Sequence, residues 1–220
     1  MELQSDFIPM FQKKDGTLIY PFISGMISHS YYDKNWNFRN TKISSPITDN
    51  TLVPNASGFF LITKSLWDDV GGMDIRLNNN EDADLGIRMA QKGIFLLRIA
   101  KLCVFHHTIS YIDNTRFWST IKRYRYVGLY ARKQLFCKYY WGETLRMNYS
   151  SWLLAVSLIG LLITSYSYLL YMTVLVLRSL SYGVKHFHKI FFFILLRDIL
   201  FIGSILFFFP KNNHFEYKKV

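Results

Sequence analysis

An α/β domain followed by helices that sit on or in a lipid bilayer is the architecture this sequence predicts, and three observations predict it. Short apolar runs broken by Gly, Asn and Asp fill the first half of the 220 residues. Charge is divided unevenly: residues 1–110 hold 11 Lys/Arg and 11 Asp/Glu, whereas residues 111–220 hold 15 against 4 and so carry the whole net charge of +11. Finally, the 31 residues between Arg146 and Arg178 contain no charge. A composition that is 50% hydrophobic and 18% aromatic excludes a disordered tail. Two cysteines, Cys103 and Cys137, exclude a disulfide scaffold and fit a reducing compartment.

Each element of the first half has a local cause. Lys14-Asp15-Gly16-Thr17 reads as a hairpin turn leading into a strand at 18–22. Residues 28–50 are polar, rich in Asn, Ser and Asp, and are expected to form a long loop. The apolar run 58–62 predicts a short buried strand, and 65–70 a short helix stopped by Gly71-Gly72. After the Asn78-Asn79-Asn80 loop, Glu81-Asp82-Ala83-Asp84 opens a helix that Gly93 closes, with Leu85 and Met89 facing inward and Ile87 as a third candidate. Runs 94–99 and 102–105 predict two strands that lead into His106-His107.

The second half predicts membrane contact. The apolar stretch 152–177 has 26 residues, and as a helix it would extend about 39 Å, against a hydrocarbon core of about 30 Å. A second stretch, 190–209, carries Arg197 and Asp198 near its middle. Each charge costs about 3 kcal/mol at the bilayer centre, and the surrounding Ile, Leu and Phe return about 0.5 kcal/mol each near the centre and less toward the ends. Two spanning helices forming a hairpin are expected, with a tilted or re-entrant second segment as the alternative. Neighbours on a helix point about 100° apart, so Arg197 and Asp198 are expected to find other partners rather than each other. Residues 115–149 mix cations such as Arg123, Arg125 and Arg132 with aromatics such as Trp118, Tyr126 and Tyr130. That mixture suits a basic amphipathic helix in the headgroup layer, with a helix docked on protein as the alternative, and the excess of positive charge places it on the cytoplasmic side. The expected division is 1–110, 111–149, 150–209 and a basic tail 210–220. Anionic lipid, not nucleic acid, is the expected partner.

Taken singly, an acidic helix start, a Gly-Gly helix stop and a His pair are ordinary structural features. Their order is the informative part. Asn55 to Lys64 reads NASGFFLITK, Leu66 to Asp74 reads LWDDVGGMD, Glu81 to Met89 reads EDADLGIRM, and Gly93 and then Val104-Phe105-His106-His107 follow. This series resembles the second half of family 2 glycosyltransferases, which have the GT-A fold, a Rossmann-like α/β layer. The match covers about residues 50–110, and the basic stretch and apolar tail resemble the membrane-bound members.

The resemblance implies roles. Asp82 matches the catalytic base that takes the proton of the acceptor hydroxyl in an inverting transfer, and Glu81 beside it would touch the acceptor. His106 matches the histidine that helps to hold a divalent metal, Mn or Mg, with His107 as the substitute. Trp67 is a candidate for lining the acceptor site, with a place in the core as the alternative. The implied partners are membrane lipid, a nucleotide-sugar donor and a glycan or lipid-linked acceptor. The family's donor-binding half carries a D-x-D motif after a strand. Here Asp82-Ala83-Asp84 is the sole D-x-D and lies within the base motif, so about a hundred residues of a donor half are expected from a preceding segment or a separate polypeptide. The expectation is a multi-pass cell-membrane protein, a partial GT-A domain followed by a basic amphipathic helix and two C-terminal transmembrane helices. The competing expectation is an inactive remnant or membrane assembly partner.

Overall fold

A computed structural model describes residues 2–3, 8–56, 58–109, 114–164 and 166–210. All of the predicted basic tail 210–220 except Pro210 lies outside them. The chain divides into two compact units, residues 1–74 with 81–116, and residues 75–80 with 117–220.

The first unit is a mixed sheet with two short helices. Its strands are β1 (Glu2–Leu3), β2 (Phe22–Tyr32), β3 (Phe38–Ser44), β4 (Thr51–Val53), β5 (Leu61–Ile62) and β6 (Leu96–Ile109). The long strands β2 and β6 lie side by side and parallel. One flank of the pair is β6 with β4 and β1 antiparallel to it, and the other is β2 with β5 and β3 antiparallel to it. A parallel pair needs a crossover connection, and helices α1 (Lys64–Val70) and α2 (Glu81–Gln91) lie within it.

Side-chain alternation sends the strands' apolar residues to two cores. Phe22 and Leu96 join Leu85 and Met89 of α2, with Leu66 and Trp67 of α1 packed against them. Ile23, Ile27, Ile99 and Val104 pack with Phe11 and Cys103. Trp67 therefore serves the core, one of its two predicted roles. The predicted inward face of α2 is present in full: Leu85, Ile87 and Met89 are all wholly buried.

Three sequence expectations are corrected. The polar stretch 28–50 is not a loop, because it contains the end of β2, all of β3 and a turn in which Asp33 accepts the backbone N–H groups of Asn35 and Asn37. Strand β3 is solvent-facing along nearly its whole length, so it has no buried face to write an alternating pattern into the sequence. The two strands predicted at 94–99 and 102–105 are one strand, β6, and His106 and His107 lie inside it rather than beyond its end. The gap read between them is a bulge: three steps along β2 from Ser24 to Ile27 face six along β6 from Arg98 to Val104. The strand predicted at 18–22 begins only at Phe22.

The second unit is helical, with α3 (Asn114–Gln134), α4 (Lys138–Gly160), α5 (Ser167–Leu180) and α6 (Phe187–Phe207). Helix α4 breaks at Asn148, whose backbone leaves the helical region (φ −118°, ψ 22°). Trp141 and Trp152 would lie about 16 Å apart along a straight helix, yet their rings are 5.0 Å apart across the break. The expected span 152–177 is not a single helix. It is the end of α4, a turn and most of α5, running antiparallel: Ser167 Oγ bonds the Ser157 carbonyl at the turn, and Arg178 reaches Ser150 at the far end. The turn forms where Gly160 lets Ser167 approach, since a Cβ on Gly160 would lie 2.8 Å from that of Ser167. The Thr164 hydroxyl, which accepts the Tyr166 N–H, competes with the helical bond. Helix α6, with the turn before it (Val184–Phe207), is long and apolar enough to cross a bilayer, and it is the one such helix among the described residues.

Arg197 and Asp198 also correct an expectation. They do bond each other, through Arg197 Nε and Nη2 at 2.9 and 2.6 Å from Asp198 Oδ1. The arginine is long enough to curl back across the angle between neighbouring positions. The other expected partners are present too: Ser151 and Tyr171 donate to Asp198, and Arg197 donates to Ser150.

Gly86 sets how closely α2 lies on the chain before it. A Cβ there would meet the Ala56 nitrogen at 2.3 Å and the Pro54 oxygen at 2.9 Å, backbone atoms that cannot swing aside. Gly86→Ala should lower stability by about 1–3 kcal/mol through overpacking, read as a fall in the melting temperature of the detergent-solubilised chain. Gly142→Ala in α4, where a Cβ meets nothing within 4 Å, should instead be neutral or raise stability by up to about 1 kcal/mol.

Candidate functional site

The first turn of α2 holds Glu81, Asp82 and Asp84, favoured there by the partial positive charge of the helix start. The three do different things. Asp82 is half-buried, and its Oδ2 accepts the backbone N–H of Gly58 while Oδ1 accepts that of Ala83 at 2.8 Å. Gly86, one turn further along, is what lets the 54–58 segment come near enough for the Gly58 bond. Asp82 thus pins the loop that leads into β5. Its carboxylate is fixed in place by two donors yet is not sealed from solvent.

Glu81 is half-buried beside it. Asp84 is wholly buried and belongs to a structural clamp. Its Oδ2 accepts Arg88 Nε at 2.9 Å, and the Arg88 guanidinium donates onward to the carbonyls of Val70 at 2.6 Å and Gly72 at 2.5 Å. These carbonyls close α1, whose end is turned by Gly71 and Gly72 at positive φ (72° and 64°). A Cβ on Gly72 would strike the Trp67 ring at 2.9 Å. The Gly-Gly pair, Trp67 and the Asp84/Arg88 pair are therefore one assembly that seats α2 against α1.

His106 lies on β6 opposite His29 of β2, and their Nδ1 atoms are 3.0 Å apart. His29 also stacks on Tyr31. His107, the next residue of the strand, has its own partner in the Tyr32 hydroxyl, 2.9 Å from its Nδ1. Burial holds the His29 imidazole below its ordinary value. At that distance one ring donates its Nδ1–H and the other accepts through its bare Nδ1.

Among the described residues no three His, Cys, Asp or Glu side chains converge to hold a metal ion. Two imidazoles bonded to each other fall short of a divalent donor set, and further ligands would have to come from outside this pair. A shallow depression of about 460 Å³ is lined by Tyr20, Pro21, Thr63, Leu66, Asp69 and Ile94 among others. Glu81, Asp82 and His106 are not among its walls.

No family model, no curated protein and no solved structure matches the chain.

His29, Gly86 and the carbonyl-binding role of Arg88 carry no signal in the sequence that would single them out. His29 sits in the stretch expected to be loop, 77 residues from its partner. Gly86 reads as a mid-helix glycine, and only the contact with Ala56 explains it.

Two outcomes test this arrangement. Arg88→Met leaves the Asp84 carboxylate buried without its cation and should destabilise the first unit by about 3 kcal/mol or more. Asp84→Leu combined with Arg88→Met should recover part of that loss in the same denaturant titration. For His29, the unfolded chain binds a proton more readily than the folded one, so its contribution to stability is complete above about pH 6.5 and declines as pH falls below that. The melting temperature of the parent should drop more steeply between pH 7 and pH 5 than that of His29→Gln.

Proposed function

We propose that the chain is the acceptor-side and membrane part of an inverting glycosyltransferase, in which Asp82 is the general base. The observation that carries the reading is the seat of Asp82: a half-buried carboxylate at a helix start, immobilised by the Gly58 and Ala83 N–H groups. A general base must be ionised, oriented and reachable. Each carboxylate oxygen has a second lone pair besides the one engaged by the backbone, so the group can still accept the proton of a sugar hydroxyl as that oxygen attacks the donor's anomeric carbon. Glu81 is assigned to the acceptor. In this reading a nucleotide-sugar donor and a divalent metal bind mainly to a donor half supplied by other residues, with His106 as this chain's contribution to the metal. The acceptor is a glycan or lipid-linked sugar at the cytoplasmic face of the cell membrane. The apolar, long α6 supports the membrane assignment.

A second reading, an assembly partner without catalysis, is favoured by the same hydrogen bonds: Asp82 would act purely as a staple for the 54–58 loop.

Asp82→Asn separates the two. Its amide oxygen can still accept the Gly58 N–H, so the loop stays pinned at the cost of the Ala83 bond, about 1 kcal/mol, but it cannot take a proton. Transfer of radiolabelled sugar from nucleotide donors to membrane glycolipid, measured in membranes carrying the chain with its donor half, should fall about 10²–10⁴-fold, far more than the small fall in melting temperature accounts for. Undiminished transfer would refute the base assignment.

A further inference from the structure

In the helical unit two guanidinium groups, buried Arg197 and half-exposed Arg178, meet at the Ser150 hydroxyl, and one carboxylate is buried beside Arg197. Asp198 is wholly buried and its oxygens are occupied: Oδ1 by Arg197 and Ser151, Oδ2 by Tyr171 at 3.3 Å. That leaves Arg178 without an acid. It donates through Nη1 to Ser150 Oγ at 2.8 Å, the same hydroxyl that accepts Arg197 Nη2 at 2.5 Å, and its Cζ stands 4.6 Å from the centre of the Tyr149 ring. Two donated bonds fill the lone pairs of the wholly buried Ser150 hydroxyl. Among the described residues no carboxylate lies within ion-pair distance of Arg178.

The bland explanation is attraction of a cation to the C-terminal end of α5. Yet the side chain leaves its own helix for α4, where a ring and a hydroxyl hold the guanidinium plane fixed. It is half-exposed, and exposed apolar side chains flank it on the same stretch of chain, namely Leu177, Leu180, Tyr182 and Val184. An oriented guanidinium with uncommitted N–H groups, rimmed by apolar surface, has the chemistry of a phosphodiester site at a lipid headgroup.

We propose that Arg178, backed by Tyr149 and Ser150, binds the phosphate of an anionic glycerophospholipid. The site concerns the helical unit alone, so its failure and the failure of the sugar-transfer reading are distinguishable: one is read as lipid retention, the other as transfer.

The test is native mass spectrometry of the full chain in mild detergent with dioleoyl phosphatidylglycerol, and with phosphatidylcholine as the zwitterionic reference. The parent should retain phosphatidylglycerol preferentially. Arg178→Gln should lower that retention about fivefold, the factor equivalent to roughly 1 kcal/mol for one juxtamembrane cation. Lys122→Gln, which removes an equal charge from the exposed face of α3, should leave it unchanged. Arg178→Lys, which keeps the charge but loses the planar fork, should fall between parent and Gln and serves as the second variant if Gln unfolds the bundle. Equal retention by parent and Arg178→Gln would overturn the site. So would an equal loss in Lys122→Gln, which would mean diffuse attraction to the basic helices. Displacement of the lipid by inorganic phosphate at the same concentration would make this a free-anion site and overturn the lipid assignment.

Discussion

The first unit depends on the parallel pairing of β2 with β6. Two strands whose paired residues lie 74–77 apart in sequence can run side by side in the same direction only if the chain between them crosses over a face of the sheet, and α1 and α2 lie in that crossover. The pairing also leaves little room. A Cβ on Gly25 would lie 2.2 Å from the Cys103 sulfur, so at the bulge the two strands meet with only hydrogen on one side. His29 and His106 become neighbours through the same register. A slip by one residue would turn one of the two rings to the opposite face.

Once α2 is drawn onto the sheet by Leu85 and Met89, its first turn must be accommodated. Buried and half-buried carboxylates are tolerated there because each has donors. Asp84 has Arg88, and Asp82 has two backbone N–H groups. The glycine at 86 makes the arrangement possible by letting helix and loop touch without side chains between them. The acidic cluster is thus divided between one residue that locks α2 to α1 and another that locks α2 to the 54–58 segment while keeping contact with solvent. That division lets one turn hold α2 on two sides while leaving one carboxylate in contact with solvent.

The parts of the fold legible in the sequence were those whose residues carry their own local reason. Helix α2 announced itself by Glu81, Asp82 and Asp84 at one end and by Gly93, at φ 81°, beyond the other. Helix α1 did so by the glycines that close it. Strand β3 was illegible because its neighbours are water on one side and β2 on the other, so nothing selects apolar residues for it. The break in the apolar stretch after Gly160 was missed for a related reason: hydropathy reports what a segment dissolves in and is silent on where it turns. The turn depends on a Ser167 side chain closing on a glycine and a carbonyl seven to ten residues earlier. In the candidate site, Glu81, Asp82 and His106 were visible as residue types in order. The pairing of His106 with His29 was not, since it requires the β2 register.

Beside its apolar core of Tyr171, Leu175 and Ile194, the helical unit buries polar groups and exposes apolar ones. Ser150, Ser151, Ser179, Ser204, Arg197 and Asp198 are buried, while Ile159, Leu162, Ile163, Leu170 and Phe207 are exposed. In water such an arrangement would be doubly unfavourable, with apolar area hydrated and polar groups desolvated. In hydrocarbon both terms change sign: the exterior is at home, and each buried hydroxyl and charge is safest facing another helix. The small residues follow the same logic. A Cβ on Gly128 would lie 1.9 Å from Ser204 Oγ and 2.5 Å from the Phe201 carbonyl, so α3 and α6 approach backbone to backbone, where dispersion acts without help from water. Arg132, donating to the carbonyls of Ile205 and Phe208, satisfies the end of α6 that no further turn of helix can. A soluble protein could make any one of these contacts. Their coexistence with the exposed apolar residues of α4, α5 and α6 is what a lipid surrounding would account for.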